Sequence, residues 1–271
     1  MPLSAVRRLG VLGWPVRHSR SPAMHRAAFA ALGMGDWRYQ LLPVPPELFA
    51  QTVRALPGAG FAGANVTIPH KHAALAIADR ASAAARAIGA ANTLTFAPDG
   101  SIEADNTDAP GLIEALGGEV AGRSAVVLGA GGTGRAAAWA LREAGAEVAV
   151  WNRDAGRARA LAAELGVAAL ERPRAADLLV NATAVGMDAY TSREEALRSL
   201  AIDSDLLGDC ALFIDFVYAT PPSPLLGAAA ELGLETVDGL AILVAQGALS
   251  FERWTGRTAP RAQMGRAAAG G

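Results

Sequence analysis

Residues 124–136, SAVVLGAGGTGRA, constrain the fold more than any other stretch of the chain. A short apolar run, of strand length, ends in Gly129, Gly131 and Gly134, and the chain then enters an alanine-rich segment that Gly145 closes. This G-x-G-x-x-G spacing, between a strand and a helix, predicts a βαβ unit that binds a dinucleotide. Gly129 permits the tight turn, Gly131 lets the backbone approach a pyrophosphate, and the helix start turns free N–H groups and a positive dipole end toward the phosphates. Ala130, Gly132 and Thr133 complete the loop. The second strand, EVAVW, ends in NRDAGR, so Arg153 stands where an NAD site would carry an acid to hold the ribose, with Arg157 one turn later. Two guanidinium groups suit a 2′-phosphate, which favours NADP, while Asp154 remains an alternative ribose acceptor.

The same alternation precedes and follows this unit. RLGVLG, WRYQLLPV and FAGANVTI read as strands, SPAMHRAAFAALG and PELFAQTVRAL as helices, and NTLTFAPDGSIEADNTD as a hairpin turning at APDG. Strands resume at DLLVNAT and CALFIDFVY, and LAILVAQGALSFERWTG is a helix apolar enough to be packed on most of its faces. The expected fold class is therefore α/β with two domains. Residues 1–107, completed by C-terminal helices within 239–271, form a substrate-binding domain on a mixed, mostly parallel sheet. Residues 108–238 form a Rossmann-type dinucleotide-binding domain, and the closing AAAGG reads as a frayed tail.

Composition limits the partners. Hydrophobic residues make up 52% and charged residues 18%, and no apolar run approaches the roughly 18 residues of a membrane span. The formal net charge is −2 with no basic stripe, which argues against nucleic acid and for a small molecule. The lone Cys210 admits no intramolecular disulfide and no secretory signal opens the chain, so a cytoplasmic protein is expected.

Of the 24 basic residues only one is a lysine, Lys71 in NVTIPHK. An ammonium can give and take a proton at an ordinary pKa of about 10.4, whereas a guanidinium stays charged, so proton transfer is a reason for lysine here. Polar groups also gather where other strands end: Ser19 and Ser21 before Pro22, Asn65 and Thr67 before Lys71, and Asn106, Thr107 and Asp108 at the domain seam. The serines suit a carboxylate or an ordinary helix cap. His18, His25, His70 and His72 lack the acid or cysteine spacing that would complete a metal site.

The segments GWPVRHSRSPAMH, NVTIPHK, GAANT, NTDAPG, GAGGTGRA, NRD, NATAVGM, DFVY and DGLAILVAQGA, in that order, resemble the shikimate dehydrogenase family along nearly the whole chain. The resemblance implies NADPH-dependent reduction of 3-dehydroshikimate to shikimate, with Lys71 and Asp108 as the catalytic pair. It implies Ser19, Ser21, Thr67, Asn92, Asp108, Tyr218 and Gln246 as substrate ligands beside Lys71. For the cofactor it implies residues 129–133, Asn152, Arg153 and Arg157, with Phe216 and Gly239 near the nicotinamide. A monomer or a homodimer suits the family equally, and quinate or NAD specificity, or a silent NADP-binding sensor, are the alternatives. The chain departs from the usual motifs at Arg26, Ala83, Asp154 and Ala241.

Overall fold

Short buried strands and helices alternate along the chain, and the computed structural model describes them over residues 6–188, 190–219 and 222–270. Strand β1 (Arg7–Gly13) buries its last five residues, which is what a strand flanked on both edges requires. Helix α1 (Ser21–Ala31) leads to β2 (Trp37–Pro43), and α2 (Phe49–Ala55) to β3 (Phe61–Val66); both strands pair parallel with β1. Two short helices follow, α3 (Lys71–Ala76) and, after the two-residue strand β4 (Arg80–Ala81), α4 (Ala83–Ile88), which Ser82 caps. The hairpin β5 (Thr93–Phe96) and β6 (Ile102–Asp105) is antiparallel, so the sheet order is β2-β1-β3-β5-β6-β4. Leu12, Phe49, Val53, Ala64, Ala91 and Leu94 lie at the centre of its core.

The second sheet is entirely parallel. It is built from α5 (Asp108–Leu116), β7 (Ser124–Leu128), α6 (Gly132–Glu143), β8 (Glu147–Trp151), α7 (Ala155–Leu165), β9 (Ala168–Ala169) and β10 (Leu178–Asn181). It continues with α8 (Arg193–Ser199), α9 (Ser204–Gly208), β11 (Leu212–Asp215), α10 (Pro224–Glu231) and β12 (Glu235–Val237). The strand order β12-β11-β10-β7-β8-β9 reverses direction between β7 and β10, the doubly wound arrangement that places a ligand crevice at the carboxyl ends of those two strands. β10 and β11 are buried along their whole length, which explains their unbroken apolar character.

Helices α11 (Gly239–Thr255) and α12 (Arg261–Ala269) finish the chain. Two compact units result: one comprises the chain up to Thr107 and again from Leu243, the other runs from Asp108 to Ile242, so a division falls in the first turn of α11. The closing alanines do not fray as expected. Met264 and Ala268 of α12 are fully buried, the helix packs on α1, and Arg20 Nη1 donates to the Ala268 carbonyl at 2.9 Å. Small side chains let the two helices approach closely, and Arg20 satisfies a carbonyl at the helix end.

Candidate active site

In the first unit, the loops after β1 and β3 meet because one residue has no side chain. A Cβ on Gly13 would lie 2.5 Å from Thr67 Cγ2 and 3.1 Å from Val16 Cβ. The loop carrying Ser19 and Ser21 is thereby held against the loop carrying Thr67 and Lys71. Two backbone bonds fix the contact, Thr67 N to Leu12 O at 2.8 Å and Trp14 N to Ile68 O at 3.0 Å. Neither serine is a side-chain cap of α1: Ser21 is the helix's first residue, Arg20 at the cap position makes no side-chain capping bond, and the Ser21 N–H reaches Ser19 Oγ at 3.3 Å. The start of α1 thus brings two hydroxyls together, a pair that can donate to a carboxylate.

Lys71 begins α3 and is half-buried. The residue before it is anchored twice, since the His70 ring stacks on Phe49 with centroids 4.4 Å apart and its Nε2 bonds the Val44 carbonyl at 2.7 Å. Burial holds the His70 pKa below its ordinary value. The carbonyl of Lys71 itself accepts from Ala91 N at 2.9 Å, which ties α3 to the segment carrying Asn92. Asn92 and Gln246, far apart in sequence, are joined by an Asn92 Nδ2–Gln246 Oε1 hydrogen bond of 3.2 Å, and both are buried. Thr107 N donates to Asn92 Oδ1 at 2.7 Å, fixing the backbone that leads directly into Asp108, the buried first residue of α5.

His25 is a different matter. It is fully buried, stacked on Tyr39 at 4.2 Å, and neither ring nitrogen has a hydrogen-bond partner among the described residues. Burial pushes its pKa down to about 3; the Asn65 amide, nearby but outside hydrogen-bond geometry, works weakly against this. His25 is neutral at any working pH and serves as a core ring. Among the described residues no group of three His, Cys, Asp or Glu side chains is arranged to hold a metal ion.

In the second unit, the glycine loop has the form that a pyrophosphate needs. Gly129 takes φ +115°, and a Cβ on Gly134 would lie 2.0 Å from the Gly129 carbonyl oxygen, so α6 starts tightly against the turn. Gly131 faces open space and no side chain caps α6, which leaves the helix N–H groups over an uncovered cradle. Asn152 Oδ1 accepts from Ala130 N at 3.2 Å and steadies the loop from β8. These residues fit a dinucleotide.

Asp154, the alternative ribose acceptor, also caps a helix. Its Oδ1 caps α7, accepting from Gly156 N at 2.9 Å and Arg157 N at 3.2 Å, and its Oδ2 lies 3.7 Å from Arg157 Nε. The cap explains this departure from the usual motif, since an N-cap favours Asp as well as Thr. Arg153 and Arg157 are exposed on the rim beside it. Phe216 and Tyr218 follow β11 and are half-buried, and a Cβ on Gly239 would lie 2.5 Å from the Val217 carbonyl oxygen, so only glycine allows α11 to start under that segment.

Family models match three parts of the chain: the shikimate dehydrogenase substrate binding domain over residues 11–94, shikimate / quinate 5-dehydrogenase over 112–215, and the shikimate 5'-dehydrogenase C-terminal domain over 239–268. A curated protein of Methylobacterium radiotolerans, named shikimate dehydrogenase (NADP(+)), is 46% identical over 268 residues, covering 93% of this chain and 92% of that protein. The chain belongs to the shikimate dehydrogenase family. A solved shikimate 5-dehydrogenase from Thermus thermophilus, in complex with NADP(H) and shikimate, superposes with a TM-score of 0.85 at 43% identity, covering 97% of this chain and 98% of that one. A 5-ketofructose reductase of a Gluconobacter species also superposes, with a TM-score of 0.83 at 30% identity over 98% of this chain and 99% of its own, so the fold by itself does not fix the ketone.

Within a shikimate dehydrogenase, some polar residues here lie outside the expected ligand set. Thr93, Ser250 and Tyr39 sit behind Asn92 and Gln246, and Asp215 is buried at the end of β11. Ser250 has a legible signal, because it lies one helical turn after Gln246 and shares its face. Asp215 accepts from Asn181 Nδ2 at 2.9 Å, from Val217 N at 3.0 Å and from Ser223 Oγ, and burial nevertheless pushes its carboxyl up to about 6.

Proposed function

We propose that this chain catalyses the reversible reduction of 3-dehydroshikimate to shikimate with NADPH, in the biosynthesis of aromatic amino acids. NADPH, when bound, supplies a hydride to the ketone carbon. As that carbon takes the hydride, its oxygen becomes an alkoxide that needs a positive charge and a proton. The Lys71 ammonium supplies both: it faces the developing charge and passes one Nζ proton to the oxygen, forming the product hydroxyl. In the reverse direction the neutral amine takes the proton back. Asp108 holds a ring hydroxyl and serves with Lys71 as the proton-transfer pair. Ser19 and Ser21 take the substrate carboxylate, and Thr67, Asn92, Tyr218 and Gln246 hold the ring. Residues 129–133 with Asn152 hold the pyrophosphate side of the cofactor, Arg153 and Arg157 its 2′-phosphate, and Phe216 and Gly239 the nicotinamide end. The first unit is then the substrate-binding domain and the second the cofactor-binding domain.

The observation that carries this reading is Lys71 itself. In a chain whose other basic residues are all arginines, the one lysine begins a helix four residues after Thr67. Curated relatives named shikimate dehydrogenase (NADP(+)), matched over about nine-tenths of both chains, support it. We read the compartment as the cytoplasm, supported by the single, buried Cys210, and the partner as a small molecule, with a monomer or homodimer as the working unit. Among the described residues no helix is long and apolar enough to cross a membrane. The test is a steady-state assay following reduced nicotinamide with shikimate and NADP, shikimate and NAD, quinate and NADP, and 5-ketofructose with NADPH. Fastest turnover is expected in the first; no turnover there, or faster turnover in any other arm, overturns the reading.

A further inference from the structure

Asp215 closes β11 completely buried, and the proton transfer described above makes no use of it. No arginine or lysine pairs with it among the described residues, and Asp238 acts on it as a like charge. An unpaired carboxylate is costly to bury, so what it holds in place matters. It stands beside Asn181, its register partner at the end of β10, on the side of the sheet where the crevice opens. Three donors converge on it: Asn181 Nδ2 at 2.9 Å, the Val217 N–H at 3.0 Å and the Ser223 hydroxyl. The first has an alternative, because Asn181 Nδ2 also reaches the Val185 carbonyl at 3.1 Å and so keeps its orientation without Asp215. The other two have none. Among the described residues the Val217 N–H meets no other acceptor, and Ser223 Oγ, which accepts from Leu226 N at 3.1 Å as the cap of α10, has only Asp215 to donate to. One carboxylate therefore holds the chain at both ends of the stretch from Val217 to Ser223.

Both ends of that stretch are packed closely. Sheet pairing runs out at Phe216, whose N–H meets the Asn181 carbonyl at 3.0 Å, and Asp215 takes over one residue later. A Cβ on Gly239 would lie 2.8 Å from the Phe216 carbonyl oxygen and 2.5 Å from that of Val217, so the first residue of α11 rests on the residues that Asp215 holds. At the far end Gly186, with φ +92°, brings the loop after β10 onto Ser223, where a Cβ would lie 3.3 Å from Ser223 Cβ. We infer that Asp215 is a positioning residue for the nicotinamide end of the cofactor, holding Val217 and Ser223 so that the segment between them presents Phe216 in one place. The inference rests on the proposed placement of Phe216 and Gly239 beside the nicotinamide. A segment fixed before the ligand arrives does not have to be ordered by it, so the affinity that the nicotinamide half contributes is kept. The adenosine half is assigned to residues with which Asp215 shares no hydrogen bond: the glycine loop, Asn152, Arg153 and Arg157.

The test compares the wild-type chain with Asp215→Leu, which has no acceptor, and Asp215→Asn, which keeps an oxygen for the Val217 N–H. The probes are NADP and adenosine 2′,5′-bisphosphate, which carries the adenosine and the 2′-phosphate but no nicotinamide, each titrated by calorimetry. In Asp215→Leu the Kd for NADP should rise about tenfold and that for the bisphosphate by less than about twofold, and Asp215→Asn should return NADP to within about threefold of wild type. Unchanged NADP affinity in Asp215→Leu overturns the inference. So does a loss of equal size for both ligands, because general damage to the unit weakens both halves of the site alike, and so does an asparagine variant no better than the leucine one. If Asp215→Leu does not fold, Ser223→Ala, which releases only the far end of the stretch, decides the matter: NADP should bind about threefold more weakly with the bisphosphate unchanged, and the absence of that selective loss overturns the inference. The titrations need no substrate. A selective loss in a chain that does not turn over shikimate supports the positioning role and refutes only the proposed function.

Discussion

Replacing Asp215 with Asn should make the protein more stable at alkaline pH and should flatten its dependence on pH. The carboxyl of Asp215 is completely buried, and its pKa is raised from 3.8 to about 6, chiefly because burial penalises the charge. A pKa raised in the folded state means that folding favours the protonated form, so this group costs nothing well below pH 4 and costs progressively more as pH rises toward 6. The interval from 3.8 to about 6 corresponds to about 3 kcal/mol above pH 7, at 1.36 kcal/mol per pH unit. At pH 5 the same relation gives about 1.6 kcal/mol. Asn keeps the shape and keeps an oxygen for the Asn181 and Val217 donors, but its amide meets Ser223 Oγ as a donor and strands the serine proton, a loss of about 1 kcal/mol at every pH. The net gain of Asp215→Asn should therefore be about 2 kcal/mol at pH 8 and about 0.5 kcal/mol at pH 5. Urea unfolding of both proteins at the two pH values measures this directly. The informative quantity is the change in the difference, about 1.4 kcal/mol, in which the Ser223 loss cancels. A stability difference that is the same at pH 5 and pH 8 would refute the argument, and so would a variant whose advantage over wild type is smaller at pH 8 than at pH 5.

Lys71→Arg and Lys71→Ala should both lower turnover at saturating substrate by on the order of a hundredfold or more, with folding intact; near-normal turnover of the arginine variant would reduce Lys71 to an electrostatic anchor. Arg153→Ser with Arg157→Ser should weaken NADP far more than NAD, each lost charge-assisted bond being worth about 1.5–3 kcal/mol, and equal losses for both dinucleotides in a fluorescence titration would mark these arginines as plain surface residues. Ser19→Ala with Ser21→Ala should raise the KM for shikimate and leave that for NADP within about twofold; a parallel rise in both would show that the pair does not hold the carboxylate.

The parts of the fold that the sequence made legible are those with periodicity or punctuation. The three glycines announced β7 and α6, the APDG turn announced the β5–β6 hairpin, and the apolar runs announced the buried parallel strands. β4 was not legible, because two residues carry no alternation and its pairing with β6 is decided by the chain on either side. A second C-terminal helix was expected within 239–271, but its end was not legible: the closing AAAGG reads as loose chain until Met264 and Ala268 find a partner helix. The candidate site divides in the same way. Ser19, Lys71 and Gly131 stand in local motifs, where spacing alone carries meaning. The link from Asn65 to Ser250 spans 185 positions, and no local pattern reports a contact made only by folding. Asp154 was ambiguous for a third reason, since a carboxylate after a strand serves a ribose or a helix start equally well, and the cap it makes to the N–H groups of Gly156 and Arg157 is seen only in the folded chain.

The division of the chain between the two units bears on the order in which a growing polypeptide can mature. The unit from Asp108 to Ile242 is one continuous stretch, whereas its neighbour needs both the residues before Thr107 and those after Leu243. During synthesis the glycine-loop unit therefore has its full complement of strands while the earlier-made sheet still lacks α11 and α12. Until those helices emerge, Asn65, Thr93 and Asn92 wait without Ser250 and Gln246, and the groove that α1 leaves for α12 stays open to water or to a chaperone. A released chain truncated after Ile242 should resist protease over residues 108–242 while remaining sensitive in the stretch made first.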